Sequence, residues 1–283
     1  QMCIRDSLVA VLFFGVGNTA DRWLDLYFFR FQPSELMKIF VPLMVAFYYS
    51  NKPLPPKSAY LLIASLIVLV PVLMIMKQPD LGTALLIGMS GAIAILLAGI
   101  SLKFFLASSL TIILLAPVLW MNMHDYQKQR ILTLYNPEAD IYGAGWNIVQ
   151  SKIAVGSGGL FGKGFLNGSQ SQLNFIPESH SDFIFSVIAE EFGLLGISIL
   201  FLIYGILIYR LLMVSFYSSN KFAKIVSGTL SIILLAYISI NISMVIGLLP
   251  VVGMPLPFLS QGGTALVVNL LTIGIILSLR KEV

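Results

Sequence analysis

Cysteine is nearly missing from this 283-residue chain: the single Cys3 excludes an internal disulfide and any multi-cysteine metal centre. That His124 and His180 are the only histidines argues against a structural zinc site. Charge is scarce as well, at 11% Asp, Glu, Lys and Arg, where a soluble domain carries about 25%. That scarcity excludes an ordinary soluble enzyme, and a mean hydropathy of +0.92 excludes disorder. No short period recurs, so a fibrous or solenoid repeat is excluded. What the chain has instead is 58% hydrophobic residues, in blocks of about 20 divided by short polar breaks, the pattern of a polytopic membrane protein. Its net charge of +4 serves topology and headgroup contact rather than nucleic acid.

Seven full spans are expected, at about 33–50, 59–76, 82–100, 103–121, 183–209, 225–249 and 263–280. Gln1–Ser7 reads as a foreign or misread head, followed by an apolar stretch, Leu8–Val16, too short to span and lacking a signal-peptide cleavage pattern. The expected organisation is therefore a head (1–7), a membrane region of one partial and four full spans (8–121), a large loop (122–182) and three further spans (183–283). Basic residues in the short connections fall into two sets. Lys52, Lys57, Lys103, Arg210, Lys221, Lys224, Arg280 and Lys281 form one, against Arg22, Arg30 and Lys77 in the other. The positive-inside rule makes the first set cytoplasmic, which puts the C-terminus inside and both the 122–182 loop and the Leu249–Gly263 turn outside.

Several motifs bear on chemistry. Gly156–Gly164 invites a phosphate-loop reading, but Ser157 stands where the first glycine is required and Gly164 where Ser or Thr is required. It reads as a flexible or tightly turned loop, or as one whose N–H groups and Lys163 contact an anionic headgroup. Pro177–Asp182 runs straight into an apolar span. Ser179 and Asp182 have capping-box spacing, which suits a plain helix start. The same segment gathers Glu178, His180 and Asp182 at the outer boundary, where desolvation can turn a carboxylate into a general base.

Glu35 and Lys38 follow Pro33 at the start of a span, on one helix face at i, i+3 spacing, so a structural ion pair is expected. Charges at such depth are also functional candidates, and so are Asp80 and the neighbouring Glu190 and Glu191. Two adjacent acids inside a span are costly unless one faces a polar cavity or is protonated. In the outer loop Lys128, Arg130 and Lys152 alternate with Tyr126, Tyr135, Tyr142 and Trp146. These aromatics suit an interfacial belt, and the cations suit a diphosphate. The Pro- and Gly-rich turn Gly247–Gly263 is tolerated at membrane depth only where it packs on protein or lines a cavity.

Arg22-Trp-Leu-Asp25, Phe31-Gln-Pro-Ser-Glu35, Gln78-Pro-Asp-Leu-Gly-Thr83, Ile176-Pro-Glu-Ser-His-Ser-Asp-Phe-Ile-Phe185 and Leu249-Pro-Val-Val-Gly-Met-Pro-Leu-Pro257 together resemble the SEDS family (shape, elongation, division and sporulation). His124-Asp-Tyr-Gln127 with Arg130, and Gln150–Gly164 including Lys152, resemble its RodA type more than the division-type FtsW. The resemblance runs from Leu8 to the C-terminus. It implies an all-α SEDS-type bundle of ten spans in full, of which about seven and one partial are present here, with the large extracellular loop between spans seven and eight. Ser181 where Thr is usual, and Gln261 where Tyr or Ser is common, are small departures.

The implied activity is a peptidoglycan glycosyltransferase that polymerises lipid II, an undecaprenyl-diphosphate disaccharide pentapeptide, during elongation and rod-shape maintenance. The implied setting is the outer face of the bacterial cytoplasmic membrane. The implied partners are a class B penicillin-binding protein transpeptidase and other elongation-complex proteins. The family's essential acid maps onto Asp182, and its other charged motif positions onto Glu35, Lys38 and Asp80. A polyprenyl diphosphate is already a good leaving group, so one base and cations suffice, unlike the paired carboxyls of glycoside hydrolases. Asp182 is then the expected base. Lys152 and Arg130, with a divalent cation such as Mg or Mn as an option, offset the diphosphate charge. Glu178, His180 and Lys163 complete the expected substrate-binding set. A lipid II flippase or transporter is the rival reading, since it would use the same charges to pass a headgroup; the division-type FtsW paralogue would share the chemistry.

Overall fold

The computed structural model describes residues 24–25, 30–53, 55–78, 80–100, 106, 110, 114, 117, 120–121, 123, 125–137, 144–173, 175–177 and 179–280. The expected head, the partial span and most of the span at about 103–121 lie outside these residues, as do His124, Tyr142 and Glu178. Apart from a two-residue antiparallel pairing of β1 (Leu24–Asp25) with β2 (Arg30–Phe31), the described elements are helices. They are α1 (Pro33–Ser50), α2 (Ser58–Met76), α3 (Leu81–Leu97), α4 (Asp125–Tyr135), α5 (Ala144–Ser157), α6 (Ser169–Gln172), α7 (Ile184–Tyr217), α8 (Lys221–Val245) and α9 (Gly263–Leu279). Helices thus stand at six of the seven expected spans. The 122–182 segment carries α4, α5 and α6 rather than plain loop. Helices α2, α7 and α8 are long and apolar enough to cross a membrane, while α3 and α9 are apolar but shorter.

The hydrophobic pattern explains what each span shows to lipid. On α2, Leu62, Leu66, Leu69 and Leu73 are exposed at helical spacing while Ala64, Val68 and Ile75 are buried. On α7, Leu195, Ile199, Leu202 and Ile206 are exposed while Tyr204, Ile208 and Leu211 are buried. Apolar stripes this extensive on a protein surface mark contact with lipid or a partner.

The chain divides into two compact units. One comprises residues 1–105, 208–234 and 263–283. Within it α1, α2 and α3 pack on one another, and α9 packs on α1. Pro33 occupies the first turn of α1, where its missing N–H costs nothing. Asp80 caps α3: its Oδ1 accepts from the Thr83 N–H at 3.1 Å and its Oδ2 from the Thr83 hydroxyl at 2.9 Å. Asn220 caps α8 in the same manner, accepting from the Phe222 N–H at 2.9 Å.

The other unit comprises residues 106–207 and 235–262. Here α5 is tied down near its start and at its middle. The Ser151 hydroxyl donates to the Val245 carbonyl at 2.8 Å, and the Trp146 indole N–H donates to the Phe175 carbonyl at 2.7 Å. Ile148, Ala154, Phe183, Ala189, Met244 and Leu256 form much of its core.

The span expected as one continuous helix at 183–209 is broken. Gly193 has φ 64° and ψ −161°, a backbone region open essentially to glycine alone. In an unbroken helix the Leu194 and Leu195 N–H groups would bond to the Glu190 and Glu191 carbonyls. Instead the Gly158–Gly164 turn inserts into those two rungs. Lys163 N–H donates to the Glu190 carbonyl and Gly164 N–H to the Glu191 carbonyl, both at 3.0 Å. Leu194 N–H donates to the Gly159 carbonyl at 2.9 Å, and Leu195 N–H to the Leu160 carbonyl at 3.1 Å. All four groups released by the break are therefore satisfied by protein, the condition for irregular backbone near a membrane. The close approach requires Gly162, because a Cβ there would collide with the Glu191 carbonyl. Of the readings open for Gly156–Gly164, the tight turn is the one observed.

Candidate active site

Asp182 lies two residues ahead of α7 in a run of turns. Its surroundings are built from the far end of the chain. The Gln261 N–H donates to the His180 carbonyl at 3.0 Å, and the Ser260 hydroxyl to the Ser181 carbonyl at 2.6 Å. The Asn241 amide donates to the Asp182 carbonyl at 2.8 Å. Three consecutive carbonyls are thus held by α8 and the closing turn, while the Asp182 side chain stays partly exposed. The buried Asn241 amide also donates to the Met254 carbonyl at 2.6 Å, joining the Asp182 segment to that turn. Helix α7 opens at Ile184, so the Ser179–Asp182 spacing does not mark its first turn.

The closing turn touches two of the expected site residues. A Cβ at Gly253 would sit 3.4 Å from the Asp182 carboxylate, and at Gly247 the end of the Lys152 side chain lies directly against the backbone. Lys152 and Asp182 therefore border one Pro- and Gly-rich turn, and Lys152 is exposed toward solvent. Arg130 is exposed on α4, the helix that packs on α5, which carries Lys152. His180 is exposed one residue before Ser181. Glu178 falls outside the described residues.

In the other unit, Glu35 and Lys38 form the ion pair that their spacing implies, both largely buried. Asp80 joins them. The Gln32 amide donates to its Oδ2 at 3.2 Å, and its charge acts on the Lys38 ammonium. Three expected site residues are thus brought together with Gln32, one acid pairing with Lys38 in its own helix and the other capping the next.

Lys163 and Glu190 meet in a way that sequence reasoning missed. The Lys163 ammonium lies 2.7 Å from Glu190 Oε1, and the Glu190 side chain is fully buried. Glu190 accepts in addition from the Ser169 hydroxyl at 3.0 Å and the Gln170 N–H at 3.2 Å. The buried acid is thus paired with a cation from the loop. Lys163 is correspondingly engaged by protein. Asn241 and Ser260 were missed as well. A lone Asn inside an apolar span was the available signal for the first; nothing marked the second.

Replacing Asn241 with Leu leaves the Asp182 and Met254 carbonyls without their donor. The expected cost is about 2 kcal/mol or more of stability, read as a lowered thermal midpoint in detergent, with a fall in activity per folded molecule. An unchanged midpoint and activity would show that the amide bridge holds nothing.

The fold and site together define a multi-pass α-helical membrane protein, with an acid and a cation bordering one closing turn. Residues 4–283 match the model of the FtsW/RodA/SpoVE family, described as cell cycle proteins. The chain is 48% identical over 277 residues to the peptidoglycan glycosyltransferase MrdB of Escherichia coli K12, a match covering 97% of this chain and 75% of that protein. Among solved structures, it superimposes with a TM-score of 0.85 and 26% identity on a chain from a peptidoglycan synthase complex that coordinates polymerization and crosslinking, covering 99% of this chain and 79% of that one. It matches Thermus thermophilus rod shape determining protein RodA with a TM-score of 0.68 and 25% identity, covering 99% and 76%. The chain belongs to the FtsW/RodA/SpoVE family, and within it to the RodA type.

Proposed function

We propose that this chain is a peptidoglycan glycosyltransferase that polymerises lipid II, with Asp182 as its general base. The observation that carries the assignment is the shared border of Asp182 and Lys152 along the Gly247–Gly253 turn, with the Asp182 backbone pinned at three carbonyls. A base must be held within reach of the proton it removes, and that pinning supplies the rigidity. Asp182 takes the proton of the acceptor sugar hydroxyl as its oxygen attacks the anomeric carbon of the growing glycan. The bond from that carbon to the polyprenyl diphosphate breaks, and the diphosphate departs with its electron pair. Attack opposite the leaving group inverts the centre. Lys152 and Arg130 offset the charge that develops on the departing diphosphate.

His180 and Glu178 flank the base and are assigned to the acceptor sugar. No step is assigned to the Glu35–Lys38–Asp80 cluster, which lies in the other unit. Lys163 is left out of the binding set because Glu190 engages it. Among the described residues no three His, Cys, Asp or Glu side chains gather into a metal site, so no step is assigned to a divalent cation held by the chain. The cation distribution supports a site on the outer face of the cytoplasmic membrane and a cytoplasmic C-terminus. The lipid-facing protein works there beside a class B penicillin-binding protein that crosslinks its product, within the elongation complex.

The test is to supply the purified protein in detergent with labelled lipid II. Glycan strands are expected. Absence of any polymer from folded protein, together with transfer of lipid II between leaflets after reconstitution, would replace the enzyme by the flippase reading.

A further inference from the structure

The geometry points to Glu190 as a positioning residue for Asp182, acting through a clasp with Lys163, Ser169 and Gln170 that locks the Gly158–Gln170 loop into the break of α7. This deepens the polymerase reading and rests on it. The first half of α7, Ile184–Phe192, is a short rod of about 13 Å. Asp182 stands just ahead of one end, where three carbonyls are pinned by Asn241, Ser260 and Gln261. The other end stops at Gly193, where the ladder that would continue it is interrupted. Nothing in the helix itself sets the direction of the rod there, because the two rungs that would do so are made by the loop.

Glu190 closes that junction from the side-chain direction. Its carboxylate gathers the Lys163 ammonium at 2.7 Å, the Ser169 hydroxyl at 3.0 Å and the Gln170 N–H at 3.2 Å. Lys163 also donates to the Ser169 hydroxyl at 2.9 Å. One carboxylate therefore holds both the strand that enters the α7 break and the start of α6, further along the same loop. The two partners are not equivalent. The Glu190 side chain is fully buried, whereas that of Lys163 is 32% exposed. Removing the lysine strands a buried charge, while removing the glutamate charge leaves a cation with access to water.

The experiment compares wild type, Glu190→Gln, Lys163→Met and the double variant, in detergent, by lipid II polymerisation and hydrogen–deuterium exchange. Lys163→Met is expected to lose about tenfold or more in kcat per folded molecule, with KM for lipid II within about twofold. Glu190→Gln loses less. The double variant recovers most of the loss, because the introduced amide keeps an acceptor oxygen for Ser169 and Gln170 and no charge is stranded. Exchange in Lys163→Met rises at 158–170, at 194–195 and at 179–186, with α8 unchanged.

Faster exchange confined to 158–170, with kcat unchanged, would overturn the proposal by showing that the clasp anchors the loop alone. A rise spread through α8, or a double variant no better than Lys163→Met, would overturn it by making the pair a general stabiliser. If wild type makes no polymer but the exchange at 179–186 still follows the clasp, the polymerase reading fails and the mechanical coupling stands.

Discussion

Asp182→Asn is expected to lower the rate of lipid II polymerisation by about 10²–10⁴-fold, the contribution typical of a positioned general base. The protein should still fold. The bonds from Gln261, Ser260 and Asn241 go to main-chain carbonyls, which the substitution leaves in place, and Asn matches Asp in shape. The amide cannot take a proton from a sugar hydroxyl, so the loss falls on kcat while KM changes little. Polymerisation of labelled lipid II, normalised to monodisperse folded protein, measures it. A rate within a few-fold of wild type would remove Asp182 from the role of base and move attention to His180 and to Glu178.

Gly193→Ala is expected to have the largest effect on stability. Its backbone lies at φ 64° and ψ −161°, where any residue with a Cβ incurs about 1–3 kcal/mol in strain alone. Here the added carbon also runs into the Gly162 N–H and the Leu160 carbonyl. Relief requires the loop to withdraw, which breaks the four bonds that replace the missing rungs, or requires α7 to straighten and expel the loop. Either route uncouples the segment carrying Asp182 from its far anchor. Thermal midpoints and limited proteolysis within 158–170 measure the result. A variant with the wild-type midpoint and an intact loop would mean that the break tolerates a side chain, and that its geometry is not fixed by glycine.

These two positions differ in how legible they are. Asp182 stands out from sequence because the family motif Ile176–Phe185 singles it out, whereas its spacing alone suits a plain helix start equally well. Gly193 stands in Glu-Phe-Gly-Leu-Leu, which reads as an uninterrupted span. The same contrast separates Glu35 from Glu190. Glu35 finds Lys38 one turn away, a partner that helical spacing reveals. Glu190 finds Lys163, 27 residues earlier, and no periodicity links the two.

What the sequence by itself determined is therefore the membrane class, the positions of six described helices, the i, i+3 ion pair and the family with its candidate base. All of these follow from local signals: hydrophobic blocks, short-range spacing, contiguous motifs. Only the tertiary structure decided that α7 is broken, that the glycine-rich turn completes it, that Lys163 neutralises Glu190, and that Asp182 and Lys152 share a border along the closing turn. The physical reason is that a backbone N–H or a buried carboxylate must be satisfied, but the partner that satisfies it is chosen by proximity in space. When that partner comes from another part of the chain, the pattern of neighbouring residues carries no record of the choice.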